Sequence, residues 1–304
     1  MTASPGSADI SVVIPLHDKA AHISQALDSV RAQTVAPAET IVVDDASCDA
    51  GPEIARASGL PNLRMLRREV PGPGGYAARN VGAGAAKARW IAFLDADDTW
   101  KPGHLEAVSA ILSAHPDAGV VFMSYEKTGP RGVSVRREVD TDRWLDLRAC
   151  LALFAERDIF HTNGAVIDRD LYARAGGFPE AKGFGRGGDS DFWLRLIVAN
   201  GGAFLGAAVT SSYHSQYSGV LSKISTVGAQ HPVRRTVARL IAEGADPSLT
   251  PLLKRLANRK TLQWVRPLPN RRIATKLQLL GTLYPAVLGR DDLRGMARSF
   301  LKNW

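Results

Sequence analysis

The chain has 304 residues, enough for one large domain or a domain with an appendage, and its 45% hydrophobic and 22% charged content is that of a soluble globular protein. Two cysteines, Cys48 and Cys150, exclude a disulfide framework and read as reduced core residues. No apolar run reaches the roughly 18 residues a membrane span needs, and Met1 to Asp9 lacks the basic start and apolar stretch of a signal peptide, so a cytoplasmic location is expected.

The first half alternates regularly. Ser11-Val12-Val13-Ile14-Pro15-Leu16 is a β-branched run, the expected first and central strand. His17 to Ser29 follows as a helix, with Ile23, Ala26, Leu27 and Val30 at helical spacing. A second strand, 40–43, ends in Asp44-Asp45-Ala46-Ser47. A helix over about 50–58, a weaker strand at 63–66, a glycine-rich loop at 71–75 and an alanine-rich helix from Tyr76 to Ala88 come next. Trp90 to Leu94 is a fourth strand, and Asp95, Asp97 and Asp98 follow at once. Four strands with three crossover helices predict a doubly wound parallel sheet, whose strand carboxyl ends face a ligand cleft. Three unpaired carboxylates within four residues repel one another, so Mg2+ or Mn2+ is their natural partner. A second reading, compatible with the first, has Asp98 or Thr99 capping a helix that begins near Pro102.

Beyond Pro102 the pattern becomes mixed. A helix at 103–113, a strand at 119–125 and a turn at 128–132 lead into a hairpin partner at 133–135. Residues 145–154 read as a helix, 165–167 as a strand, and 171–175 as a short helix stopped by Gly176-Gly177. A second glycine-rich loop, 183–188, runs into a helix with Asp189 and Asp191 in its first turn. After a last strand at 206–213 the chain is basic and helical from about Val233. Residues 231–304 hold 15 Lys/Arg against 4 Asp/Glu, so the whole net charge of +8 comes from this segment. Such asymmetry suggests nucleic acid or an anionic membrane surface as partner. Within it the apolar run Lys276 to Gly289, flanked by Arg271, Arg272 and Arg290, reads either as an interfacial helix or as part of a helical subdomain packed on the rest.

Six segments together resemble family 2 glycosyltransferases of the GT-A fold, in that family's order across residues 10–223. They are Ser11-Val12-Val13-Ile14-Pro15, Ile41 to Ser47, Ala78-Arg79-Asn80, Asp95-Ala96-Asp97-Asp98, Gly176-Gly177-Phe178, and Asp189 with Trp193 and Arg195. The resemblance implies a nucleotide-sugar-binding half (1–100), an acceptor-binding half (101–228) and a basic C-terminal helical region (229–304). It implies that Pro15, Asp45, Arg79, Asp95, Ala96 and Asp98 contact the donor, Asp45 by reading uracil and Arg79 by pairing with phosphate or uracil. It gives Asp97 the role of ligand to Mn2+ or Mg2+, and Asp189 that of general base. Relatives carry an acid before that base, where this chain has Gly188. Aligning Leu221-Ser222-Lys223 with the family's late loop puts Tyr217 where a metal-binding His often stands, with His214 three residues earlier as the alternative ligand. Asp191 competes as base but also suits a first-turn helix acid, and Trp193 and Arg195 suit packing.

The implied activity is inverting transfer from a nucleotide-diphosphate sugar, taken to be a UDP-sugar, to a saccharide or lipid-linked acceptor, in surface polysaccharide or glycoconjugate synthesis. Both glycine-rich loops would close over the donor, and the basic region would touch an anionic inner membrane face. Three rivals remain at this point. Asp95-Ala96-Asp97-Asp98-Thr99 also fits haloacid-dehalogenase-type phosphatases with Asp95 as nucleophile, but that motif follows a first strand rather than a fourth. A sugar nucleotidyltransferase wants a basic glycine-rich loop after the first strand, which His17-Asp18-Lys19 is not. A non-catalytic anion- or nucleic-acid-binding module has the charge but little aromatic interleaving, so no nucleic-acid partner is expected.

Overall fold

A computed structural model describes residues 7–180, 186–217, 230–266, 268 and 272–301. Strands β1 (Ser7–Leu16), β2 (Ala36–Asp45), β3 (Leu63–Arg68) and β4 (Trp90–Phe93) alternate with helices α1 (Ile23–Arg31), α2 (Gly51–Ala57) and α3 (Tyr76–Ala85). The four strands lie in the order β3-β2-β1-β4, all parallel, with Val13 opposite both Ile41 and Phe93. The period of two in β1 decides which way each side chain goes. Ile10, Val12 and Ile14 enter one core, against Ile23, Ala26 and Leu27 of α1, while Val13 enters the other, with Ile41, Val43, Ile91 and Phe93.

The second half widens this sheet. It runs β5 (Thr99–Trp100), α4 (His104–Ala114), β6 (Val120–Gly129), β7 (Gly132–Arg136), β8 (Arg143–Asp146), α5 (Leu147–Glu156), β9 (Ala165–Asp168), α6 (Arg169–Arg174), α7 (Gly188–Asn200) and β10 (Gly202–His214). Strand β9 wedges antiparallel between β4 and β6, β10 runs parallel to β6, and β5 and β8 pair antiparallel with β10. The expected hairpin joins β6 to β7. The result is the mixed α/β sheet with a parallel N-terminal half that the sequence predicts.

Among the described residues four α-helices follow: α8 (Pro232–Ala242), α9 (Thr250–Val265), α10 (Ile273–Leu280) and α11 (Arg290–Leu301). Val233 and Val237 of α8 and Leu253, Leu256 and Ala257 of α9 share the core of α5 and α7. The run 276–289 is not one helix. It breaks after α10 into a single 3-10 turn at Pro285–Val287, with Leu279 buried against Trp264 and Val265 while Ile273 and Leu277 stay exposed.

Other local expectations are corrected. Helix α1 starts at Ile23 rather than His17, because Asp18 takes a left-handed turn (φ 49°) that leaves 17–22 irregular. The segment at Leu145 is strand, since Asp146 caps α5 from outside by accepting the Ala149 N–H at 2.7 Å. Thr99 pairs in a strand and α4 begins after Gly103 with no side-chain cap, so neither Asp98 nor Thr99 is a helix cap. Cys150 is buried as expected, but Cys48 is exposed. Residues 183–185, half of the predicted loop 183–188, and the segment Leu221-Ser222-Lys223 lie outside the described residues.

Candidate active site

The carboxyl ends of β1, β2 and β4 open into a cavity of about 1160 Å3, at the place where the strand order reverses. Pro15, Asp45, Arg79, Asp95, Ala96, Asp97 and Asp189 all line it. Asp98 and His214 are not among its lining residues.

The acids at the ends of β2 and β4 are not unpaired, which corrects the electrostatic premise drawn from the sequence. Asp45 is bound by the Arg68 guanidinium, and the Gly72 N–H donates to its two oxygens at 3.2 and 3.0 Å. A Cβ on Gly72 would lie 2.8 Å from the Ala77 Cβ as well as 2.8 Å from the Arg68 guanidinium, so a larger residue would shift the loop against α3. Arg79, almost fully buried, forms an ion pair with Asp95, donates to the Gly74 carbonyl at 3.2 Å, and lies 5.4 Å from the Phe178 ring. Lys19 donates to Asp97 Oδ2 at 2.6 Å and to the Tyr217 carbonyl at 2.7 Å. Burial and then the neighbouring Asp95 charge raise the proton affinity of Asp97, against the pull of Lys19. Among the described residues no three His, Cys, Asp or Glu side chains converge as a cation cage. The donor set facing the cavity is Asp97 with Asp95 beside it. Hard oxygens of that kind fit a cation that takes most of its shell from phosphate.

Behind these acids Asn163 is the hub. Its Oδ1 accepts the Asp95 N–H at 2.9 Å, its Nδ2 donates to Asp98 at 2.5 Å, and its carbonyl accepts the Trp100 indole N–H at 2.7 Å. Asp98 also accepts the His214 backbone N–H at 2.6 Å and is buried. Burial, opposed by His214 and reinforced by the charges of Asp95 and Asp97, pushes its carboxyl up to about 6. Asp98 therefore ties the segment after β4 to β10 through the His214 N–H and is not among the residues lining the cavity. The His214 ring has its Nδ1 3.6 Å from Asp98 and stacks on Tyr217.

Across the cavity Asp189 stands in the first turn of α7, after Gly187 in the left-handed conformation (φ 75°), and accepts the Ser190 N–H at 2.7 Å. No ion pair claims it among the described residues. The departure at Gly188 has a steric cause. Its N–H donates to the Tyr76 hydroxyl at 3.1 Å, and a Cβ there would lie 2.6 Å from the Tyr76 ring and 2.8 Å from Pro179. Tyr76 fills the space of a side chain at position 188. Asp191 points elsewhere, accepting from Thr236 at 2.5 Å and pairing with Arg195 at 3.0 Å, so it joins α7 to α8. Arg195 also ties down the Gly177 carbonyl at 2.7 Å, and Trp193 is core.

Several lining residues escaped the sequence reading: Lys19, Tyr76 and His161, and from the C-terminal helices His231, Lys260 and Trp264. Burial holds His161 down to about 4, so it lines the cavity as a neutral ring. The only sequence signal for this second wall was the excess of positive charge after residue 230.

A family model described as glycosyl transferase family 2 matches residues 11–172, just over half of the chain. The succinoglycan biosynthesis protein ExoO of Rhizobium meliloti is 43% identical over 98 residues, 32% of this chain and 28% of that protein. The glycosyltransferase AglE of Haloferax volcanii is 30% identical over 175 residues, 56% of each chain. The chain thus spans about a quarter to just over half the length of these relatives. Among solved structures, S. aureus TarS 1-349 in complex with UDP-GlcNAc superposes with a TM-score of 0.67 at 15% identity, over 97% of this chain and 92% of that one. The mannosyltransferase PcManGT from Pyrobaculum calidifontis, in complex with GDP-Man and Mn2+, gives 0.61 at 22% identity, over 97% and 84%. Both likenesses are of fold, and the fold is GT-A.

Proposed function

Since the chain belongs to glycosyl transferase family 2, we propose that it transfers a sugar, with inversion, from a UDP-sugar to an acceptor hydroxyl in the synthesis of a surface polysaccharide or glycoconjugate. The observation that carries this reading is the single cavity onto which Asp45, Asp95, Asp97 and Asp189 converge from three separate segments, the end of β2, the stretch after β4 and the start of α7.

Asp45 keeps acceptor capacity on Oδ2 beyond Arg68 and Gly72, enough for one N–H of a base. Arg79 holds Asp95 in place under the donor, and Pro15 and Ala96 give the backbone edges of the pocket. Asp97, released from Lys19, would ligate Mn2+ or Mg2+, which when bound supplies charge neutralisation to the departing diphosphate. Asp189 takes the proton of the acceptor hydroxyl as its oxygen bonds to the sugar C1 and the C1–O bond to the diphosphate breaks. General-base assistance of this kind is worth about 10² to 10⁴-fold. The phosphatase alternative needs Asp95 as a free nucleophile, whereas here it pairs with Arg79.

No helix among the described residues is long and apolar enough to cross a membrane. We place the protein in the cytoplasm, with exposed Ile273, Leu277 and Leu293 as the face that touches an anionic membrane. Liposome flotation tests this, and equal recovery with neutral and anionic vesicles counts against it. The activity itself is tested by a thermal-shift panel of nucleotide sugars with Mn2+. One donor should stabilise the unmutated protein and not Asp97→Ala. A panel in which no nucleotide sugar shifts the midpoint overturns the reading.

A further inference from the structure

At about 1160 Å3 the cavity exceeds the roughly 300–1,000 Å3 typical of small-ligand sites, so it has room beyond a donor. Its two ends differ in charge. At the donor end Asp45, Asp95 and Asp97 each have a cation beside them. Beyond Asp189 the wall is built by the start of α7 and by α9, and there cations exceed acids. Arg186 and Arg266 line this wall, and among the described residues neither guanidinium has a hydrogen-bond or ion-pair partner. Lys260 is 3% exposed, with Nζ 2.5 Å from Asp158 Oδ1, 2.7 Å from Ser190 Oγ and 4.9 Å from the centre of the Phe154 ring, so two of its three donors are used in hydrogen bonds. Asp158 is shared with Arg259 at 2.7 Å, which leaves the wall with a surplus of positive charge.

We propose that Arg186, Lys260 and Arg266 form an oxyanion subsite, so that the acceptor saccharide carries a phosphoryl or carboxylate group. The inference rests on the transferase reading, because that reading places the acceptor beside Asp189. With its hydroxyl at Asp189, the acceptor directs its anionic group to α9. A guanidinium fork matches both oxyanions in bidentate fashion, and the buried ammonium supplies a third, fixed donor. The C-terminal helices thereby choose among acceptors as well as packing on the core.

The test uses the full chain. UDP binding by thermal shift reads the transferase proposal first. Calorimetry with UDP and Mn2+ present then compares glucose 1-phosphate, glucuronic acid and methyl glucoside, and the same sets built on galactose and N-acetylglucosamine. An anionic probe is expected to bind at least about tenfold more tightly than its neutral glycoside, and the tighter of phosphate and carboxylate identifies the group. Arg186→Gln with Arg266→Gln should abolish that preference without changing UDP affinity, and Lys260→Gln should weaken it if the protein stays folded. No anionic binding, equal binding of neutral probes, or a preference that survives the double variant overturns the subsite. Absence of UDP binding overturns the UDP-donor reading instead, and leaves the arginine-dependent preference measurable without nucleotide.

Discussion

Lys19→Met is expected to tighten Mn2+ binding in the absence of donor. In the structure the ammonium lies 2.6 Å from Asp97 Oδ2 and 2.7 Å from the Tyr217 carbonyl, and the Lys19 and Asp97 side chains are 23% and 14% exposed. A hydrogen bond to a charged group contributes about 1.5–3 kcal/mol net, and the remaining exposure argues for the lower end. A divalent cation has to displace this contact, so removing it returns about 1.5 kcal/mol, or about tenfold in affinity. The free Mn2+ signal in electron paramagnetic resonance measures it directly. Asp97→Asn should bind weakly whether Lys19 is present or replaced, which shows that the gain acts through Asp97. The Mn2+ concentration for half-maximal transfer should fall in the same proportion as the dissociation constant. An unchanged or weaker Mn2+ affinity in Lys19→Met would refute the assignment of Asp97 as metal ligand.

Asp189→Asn keeps the shape of the site and removes the proposed base, so turnover should drop about 10² to 10⁴-fold with UDP affinity unchanged, and a variant retaining more than a tenth of the rate would point to another base. Gly188→Ala puts a Cβ 2.6 Å from the Tyr76 ring, an overpacking expected to cost about 1–3 kcal/mol in urea unfolding, and the same substitution made in a Tyr76→Ala background should cost less. Burial holds His104 down to about 3 and His161 to about 4. Both folded values lie below the unfolded one near 6.5, so the stabilisation is complete above that pH and is lost as pH falls towards 4. At pH 5 the two groups together should cost about 4 kcal/mol relative to pH 7. His104→Gln should halve that loss, and an unchanged pH slope would show that burial of this ring is not its source.

Much of the N-terminal half was legible in the sequence because its signals are local. The β-branched runs at 11–16 and 40–43 and the helical spacing of Ile23, Ala26, Leu27 and Val30 are set by neighbours a few residues away. The placing of Asp95 and Asp97 at a strand's carboxyl end follows from the same local order. Strand β8 was missed because Arg143 to Asp146 has no periodicity of its own and pairs only through β10. Helix α4 was assigned the wrong cap because Asp98 suits a helix start until Asn163 and His214 claim it.

By itself, then, the sequence determined the alternation of strands and helices, the parallel start of the sheet and the acids at its mouth, since each depends on side-chain pattern over one short segment. Only the tertiary structure decided the partners of those acids: Arg68 for Asp45, Arg79 for Asp95, Lys19 for Asp97, and Tyr76 in the space beside Gly188. It also decided that α9, from the basic C-terminal region, walls the same cavity. Ion pairs and close contacts of this kind join residues far apart in the chain, and their geometry exists only once the sheet has brought the segments together.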